Sequence, residues 1–78
     1  STATVNTTSR NAVYNLRYVS EKTGLVKVAI KNAEGRLVLE EEIFNEKRGF
    51  IRPYNFSTMP AGTYTIQVKD AKGNTDLT

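Results

Sequence analysis

The sequence predicts an all-β domain, folded as a small antiparallel two-layer sandwich. Five or six short segments alternate apolar with polar residues, at spacings of about 10 residues, and turn-forming Gly, Asn or Asp residues separate them. No window of helical length shows the i, i+3, i+4, i+7 apolar spacing of an amphipathic helix. A chain of 78 residues is long enough for one domain with one modest core. A small barrel is the alternative that the pattern leaves open.

The best-bounded strand lies between Met59 and Asn74. Its apolar residues Tyr64, Ile66 and Val68 occupy alternate positions, with a Pro-Ala-Gly turn before them and a second glycine turn after them. A strand of this kind leaves one apolar row and two backbone edges for other strands to cover. The remaining chain is therefore expected to supply those strands.

The N-terminal residues 1–11 are rich in Ser and Thr and contain only Val5 as a sizeable apolar residue. They predict an N-terminal edge strand or a linker, because Thr and Val favour strands while chain ends fray. The β-sandwich domain is predicted over residues 12–78.

The first strand of that domain is predicted from Tyr14, Leu16 and Tyr18, which occupy alternate positions. Residues 20–24, with the sequence SEKTG, predict a hairpin loop. Gly24 is expected to take a positive φ there, since glycine does so without steric cost.

The cleanest alternation in the chain places Val26, Val28 and Ile30 on one side of the next strand. A turn is predicted at residues 32–35, with the sequence NAEG. The strand and turn together predict a hairpin with the segment that follows.

That segment, residues 36–45, has no single register that buries all its apolar residues. A bulge or an edge position is therefore expected near Glu40, Glu41 and Glu42. Glutamates that point outward along an edge would also discourage association between sheets.

A loop is predicted at residues 46–49 and an extended segment at residues 50–56. Pro53 lacks a backbone N–H, so this segment is predicted to be irregular or to lie at the edge of a sheet. Residues 75–78 are expected to start a strand and to be too short to complete one. The predicted core is Tyr14, Leu16, Tyr18, Val26, Val28, Ile30, Leu37, Leu39, Phe50, Tyr54, Phe56, Met59, Tyr64, Ile66 and Val68.

Several turn and core positions between residues 12 and 74 follow a recognisable spacing. They are Val26-Val28-Ile30, Asn32 to Gly35, Leu37-Val38, Tyr54-Asn55-Phe56-Ser57-x-Met59-Pro60-Ala61-Gly62-Thr63-Tyr64, and Asp70-x-x-Gly73. This spacing resembles the small immunoglobulin-like or fibronectin-III-like β-sandwich at the C-terminus of proteins exported by the type IX secretion system of Bacteroidota. It is also similar to short secreted relatives of unknown function.

The resemblance implies a sandwich of about six to seven strands that is not an enzyme. It also implies export through the periplasm to the cell surface or the medium, with a role in sorting, anchoring or accessory contacts. Sorting members usually continue after the last turn into another strand with a basic end, whereas this sequence stops at Leu77 and Thr78. A shortened chain, a final strand supplied otherwise, and a relative that is not a sorting signal are the three explanations.

Composition excludes several kinds of chemistry. The chain has no cysteine and no histidine, so it lacks thiolate ligands, the commonest metal ligand and the usual general base. No cofactor is predicted. The net charge of +3 comes from scattered residues, which does not favour nucleic-acid binding. No apolar run approaches the length of about 18 residues that a membrane span requires.

Two groups of oxygen-bearing side chains invite a chemical interpretation. Asp70, Asn74 and Asp76 suggest calcium, but their order lacks the ligand spacing of a calcium loop and fits a glycine turn. Glu40, Glu41 and Glu42 suggest paired carboxylates. Adjacent strand residues point to opposite faces, so a solvated edge is favoured.

The tyrosines Tyr14, Tyr18, Tyr54 and Tyr64 suggest either core packing or a stacking platform for sugars or single-stranded nucleic acid. Their phase with aliphatic residues favours the core.

A candidate binding face consists of Arg48, Phe50, Arg52 and Tyr54, because a proline makes this segment irregular and such segments often carry contacts.

Together with the resemblance, which implies export, these observations predict a non-catalytic exported module for protein contact, cell-surface anchoring or secretion sorting. A carbohydrate-binding accessory module is the alternative. The expected partner is a protein or a cell-surface component. Self-association through an exposed strand edge is also predicted.

Overall fold

A computed structural model describes residues 1–70 and 73–77, the last four of these by their backbone alone. The chain forms seven β-strands. They are β1 (Thr2–Thr7), β2 (Val13–Val19), β3 (Gly24–Lys31), β4 (Leu37–Asn45), β5 (Gly49–Asn55), β6 (Thr65–Lys69) and β7 (Asn74–Leu77).

The strands form two antiparallel sheets. One has the order β1-β2-β5 and the other the order β4-β3-β6-β7. β1 lies against β7 on one side of the sandwich. This arrangement confirms the predicted two-sheet, immunoglobulin/fibronectin-III-like sandwich.

The antiparallel order divides the connections between two ends of the sandwich. The Ser1 end holds the N-terminus and the β2–β3, β4–β5 and β6–β7 connections. The Leu77 end holds the β1–β2, β3–β4 and β5–β6 connections and the end of β7. Ser1 and Leu77 therefore lie at opposite ends of the domain.

The core lies between the two sheets, where alternate residues of each strand point inward. Five predicted members are half-buried: Leu39, Phe50, Phe56 and Tyr64 pack against the core, and Met59 is the fifth. Eight others are confirmed as buried: Leu16, Tyr18, Val26, Val28, Ile30, Tyr54, Ile66 and Val68.

Two predicted core residues are wrong. Leu37 is 52% exposed, because the pairing of β3 with β4 shifts by one residue between Ile30 and Lys31. Tyr14 is 37% exposed, although it lies in the same inward row of β2 as the buried Leu16 and Tyr18. The sequence pattern also missed Ala3, which is buried in the core.

The predicted hairpin loop at residues 20–24 is wrong. β2 and β3 lie in different sheets, so this segment crosses between the sheets. Asn45 holds the crossing in place, since its side-chain amide donates to the carbonyls of Ser20 (3.4 Å) and Lys22 (2.8 Å). Gly24 has a φ of 141°, as predicted.

β4 is an edge strand, as predicted, but its irregularity lies beside Val38 rather than at the glutamates. Glu40 and Glu42 are exposed, whereas Glu41 is only partly exposed and shares the inward row with Leu39. The solvated edge favoured for these glutamates therefore describes Glu40 and Glu42, whereas Glu41 lies on the inward side of the strand.

β5 and β7 complete the two sheets. β5 pairs with β2 alone and contains Pro53, which confirms the edge position predicted from the missing N–H. The predicted turn before β7 is present, since the Asp70 N–H donates to the Gly73 carbonyl at 3.0 Å. The residues after it do complete a strand, contrary to prediction, and Leu77 pairs with Ile66.

Gly49 and Gly24 form a matched pair for testing the fold. A Cβ on Gly49 would lie 1.9 Å from the Tyr18 carbonyl oxygen, whereas a Cβ on Gly24 would meet nothing within 4 Å. Both glycines have a positive φ, 136° and 141°. Gly24→Ala should lower the free energy of unfolding by about 1–2 kcal/mol, from backbone strain alone. Gly49→Ala should lower it by more than about 3 kcal/mol. Urea unfolding of both variants measures this, and equal losses would contradict the close approach.

Candidate functional site

The predicted binding face lies on and beside β5. Phe50, Arg52 and Tyr54 alternate along the strand on its inward side, and Arg48 precedes the strand in the β4–β5 connection. Tyr54 is buried and Phe50 is half-buried. Three of the four residues therefore face the second sheet, and the structure gives each of them a partner within the domain.

Arg52 and Tyr54 both bind Glu41 of β4. The Arg52 guanidinium donates two hydrogen bonds to the carboxylate, from Nε to Oε1 at 2.7 Å and from Nη2 to Oε2 at 3.0 Å. The Tyr54 hydroxyl donates to the same Oε1 at 2.7 Å. We call these three residues the Glu41 clasp. It joins the edge strands of the two sheets on the side of the sandwich opposite β1 and β7.

The clasp changes the pKa values of its members in consistent directions. Hydrogen bonding from Arg52 lowers the pKa of Glu41 below its ordinary 4.5, in opposition to partial desolvation. Glu41 in turn raises the pKa of Arg52. Burial, followed by the hydrogen bond to Glu41, raises the pKa of Tyr54. Each shift favours a carboxylate, a guanidinium and a neutral phenol, which is the arrangement that holds the strands together.

Phe50 packs on the core. Its ring lies 5.3 Å from that of Tyr18, between centroids, with the planes tilted by 33°. Tyr18 is 2% exposed, and its hydroxyl donates to Asp70 at 3.3 Å. Phe50 therefore has a structural role whether or not a partner also contacts it.

Arg48 is the most open member of the predicted face. Its carbonyl accepts a hydrogen bond from the Ser20 N–H at 3.0 Å, while the residue itself is exposed. Beside it, a shallow depression contains Gly49 and is bordered by the exposed residues Arg17, Val19 and Ile51. We call Arg17, Val19, Arg48 and Ile51 the Arg48 patch. Binding by the four residues first predicted stays a prediction.

A larger concavity lies at the Leu77 end. It has a volume of about 650 Å³ and is lined by aromatic and aliphatic side chains from β1, β2, β6 and the β5–β6 connection. We define this end groove by Val5, Tyr14, Phe56, Tyr64 and Ile66. The alternation of apolar residues did not indicate it, because its residues belong to the same alternating rows as buried core residues.

The tyrosines divide between core and rim. Tyr18 and Tyr54 are buried, whereas Tyr64 is half-buried and Tyr14 is 37% exposed. The ring of Tyr14 meets Phe56 edge-on, with centroids 5.7 Å apart and an interplanar angle of 83°. The rings do not form one flat face, and carbohydrate binding stays a prediction.

The acidic groups do not form a chemical site within the described part of the chain. Residues 1–70 and 73–77 contain no group of three or more His, Cys, Asp or Glu residues that could hold a metal ion. One Asp70 oxygen accepts the Gly73 N–H at 2.6 Å within the turn. The side chains of Asn74 and Asp76, also considered for calcium, lie outside the described residues.

The fold and these surfaces define a small antiparallel β-sandwich module. A family model described as the secretion system C-terminal sorting domain matches residues 4–77. The chain belongs to this family, which confirms the predicted resemblance. Domains of this family direct proteins of Bacteroidota through type IX secretion to the cell surface or the medium, and they are non-catalytic in general.

No curated protein and no solved structure matches the chain. The described residues form no helix with the length and apolar character that a membrane crossing requires.

The Glu41 clasp predicts a measurable coupling between its two charged residues. In a double-mutant cycle, Glu41→Gln and Arg52→Gln should couple by about 0.5–1 kcal/mol, since half of the Arg52 side chain is exposed. Urea unfolding of the four proteins measures the coupling. Glu42→Gln, an exposed change on the same strand, should alter the free energy of unfolding by less than about 0.5 kcal/mol. A coupling near zero would show that the clasp contributes no stability.

The lowered pKa of Glu41 also predicts a pH dependence. The unfolded chain binds a proton at Glu41 at higher pH than the folded chain does, so the stability from this group is complete above about pH 5. It decreases as the pH falls through the lowered pKa. The difference in unfolding free energy between the natural domain and Glu41→Gln should therefore shrink between about pH 5 and pH 2. A difference that stays constant over this range would contradict the assignment.

Proposed function

We propose that the domain sorts its protein for type IX export by serving as a folded surface for protein contact, and that it performs no catalysis itself. The family match over residues 4–77 supports the sorting role. The Arg48 patch is the observation that favours direct protein contact. It combines two arginines with exposed apolar side chains on the outer side of one sheet.

The charges around the patch favour a partner with acidic groups. Strands β1, β2 and β5 contain no Asp or Glu, and Arg17 and Arg52 are their only charged residues. Arg52 is engaged by Glu41, which leaves Arg17 and the neighbouring Arg48 to face a partner. Exposed Val19 (43%) and Ile51 (62%) add apolar surface between them. Apolar contact surrounded by arginine is a common composition for protein interfaces.

We also propose that the domain anchors its protein at the cell surface after export. A sorted protein either stays on the cell surface or enters the medium, and one export experiment distinguishes these two destinations. A reporter protein joined upstream of the domain should leave the periplasm in a bacterium that has the type IX system.

Charge reversal in the patch should reduce this export. Arg17→Glu combined with Arg48→Glu should lower the exported fraction of the reporter about tenfold or more, because like charges then face the partner. Arg10→Glu combined with Arg36→Glu is the matched control. It makes the same net charge change at exposed positions of the Leu77 end.

The reporter is measured in periplasm, cell-surface and medium fractions, and thermal unfolding checks that both variants stay folded. Equal export by the two double variants would exclude the patch as the contact surface. Export that does not require the domain would exclude the sorting proposal itself.

A further inference from the structure

The two sheets have four edge strands, and these edges differ in how open they are. β1 and β7 lie against each other. The edge of β5 contains Pro53, which has no N–H to offer a further strand. β4 is the remaining edge strand. Its nine residues make it longer than any other strand described, and within the described residues it pairs with β3 alone. The unpaired backbone groups of such an edge are a template for strand addition.

The outward row of β4 places two carboxylates between two apolar side chains. Four exposed residues alternate along it: Val38, Glu40, Glu42 and Phe44. Glu40 and Glu42 have no ion-pair or hydrogen-bond partner among the described residues, whereas the carboxylate of Glu41 is occupied in the Glu41 clasp. The outward row therefore carries two negative charges that the domain itself leaves unpaired within its described part.

The paired edge of β4 shows which side chains suit this row. On β3, Lys27 lies opposite Glu42, and Leu25 lies opposite Phe44. Opposite charges and pairs of apolar side chains stabilise a strand pair when they lie directly opposite each other. A strand on the free edge would meet the same row of β4 from the other side. The same rule therefore favours a basic residue opposite each glutamate and an apolar residue opposite Phe44.

A second copy of β4 does not satisfy this rule. Antiparallel pairing of two copies about Glu41 would match Leu39 of each copy with Ile43 of the other. It would also place Glu40 of each copy opposite Glu42 of the other, and like charges in opposed positions destabilise a strand pair. The repulsion that disfavours self-association at this edge selects a strand of opposite charge.

We propose that the free edge of β4 binds an extended segment of a partner protein. This segment carries two basic residues at alternate positions, opposite Glu40 and Glu42, and an apolar residue opposite Phe44. Backbone hydrogen bonds to the edge supply affinity, and the complementary charges supply specificity. The site is separate from the Arg48 patch, which lies on the outer side of the other sheet and favours acidic groups. Failure of either proposal therefore leaves the other intact.

The first test uses a capped basic peptide, Leu-Val-Lys-Thr-Lys-Val-Thr, which follows this pattern when it pairs antiparallel to β4. Binding is followed by two-dimensional NMR of isotope-labelled residues 1–78. The largest amide shifts should fall between Leu39 and Phe44 rather than on β5.

Two control peptides separate the contributions to binding. An acidic peptide, with Glu in place of both Lys residues, should bind at least about tenfold more weakly. A peptide methylated at all its internal backbone nitrogens keeps its side chains but cannot pair with a strand edge, so it should not bind. Absence of binding by the basic peptide, or equal binding of it and either control, would overturn the proposal.

The second test exchanges the charges on the domain. Glu40→Lys combined with Glu42→Lys should weaken binding of the basic peptide about tenfold or more and should allow the acidic peptide to bind. Glu21→Lys combined with Glu34→Lys is the matched control. It makes the same net charge change at exposed positions outside the strands and should retain the preference for the basic peptide. Equal preferences in the two double variants would overturn the assignment.

Thermal unfolding checks that both double variants are folded. A milder pair, Glu40→Gln with Glu42→Gln, removes the charges with little change of shape and should weaken binding of the basic peptide about fivefold. Unchanged binding by this variant would also overturn the assignment.

Two other occupants would overturn the proposal in recognisable ways. If the natural full-length protein fails to bind the basic peptide while residues 1–78 bind it, a further part of the same chain covers the edge. If residues 1–78 form a dimer that the peptide dissociates, a second copy covers it. Analytical ultracentrifugation with and without peptide detects that dimer.

Discussion

The inward row of β3 is the constraint on which the sandwich depends. β3 is paired on both edges, with β4 and with β6, and its residues Val26, Val28 and Ile30 are at most 3% exposed. Each such side chain contributes about 1.5–3 kcal/mol on burial. A register slip of one residue would turn Lys27 and Lys31 into the core instead, so this row sets the register of both neighbouring strands. The other sheet then needs only to present a complementary apolar face.

The two long sides of the sandwich are closed by different means. On the β4–β5 side, a carboxylate occupies an inward position, and the cost of placing it there is offset by Arg52 and Tyr54, which satisfy its oxygens. This closure is polar, directional and sensitive to pH. On the β1–β7 side, the two edge strands lie against each other, and burial in the inward row of β1 decreases from Ala3, which is 5% exposed, to the half-buried Val5. The same fold therefore has one side fixed by specific hydrogen bonds and one corner left accessible.

Local alternation predicted the strands well and their partners less well. A glycine-containing turn has similar composition in a hairpin and in a crossing between sheets, so residues 20–24 gave no local sign that they change sheet. Parity with Leu39 placed Glu41 on the inward row, but its partners lie 11 and 13 residues away on another strand. Tyr14 shares the phase of the buried Leu16 but is 37% exposed, because it lies near the end of the sandwich, where fewer strands cover it. Each error concerns a contact between strands, which a one-dimensional pattern does not contain.

The positions of the two candidate surfaces have a consequence for any protein that this domain follows. Any protein joined before the domain would be attached at Ser1, at the end where Arg48 and Gly49 also lie, so a partner on the Arg48 patch would approach close to that protein. The end groove lies at the opposite end, beside Leu77, and faces away from that protein. A bulky neighbour should therefore obstruct the patch before it obstructs the groove. Contact at the patch should therefore depend on the length of the linker before Ser1.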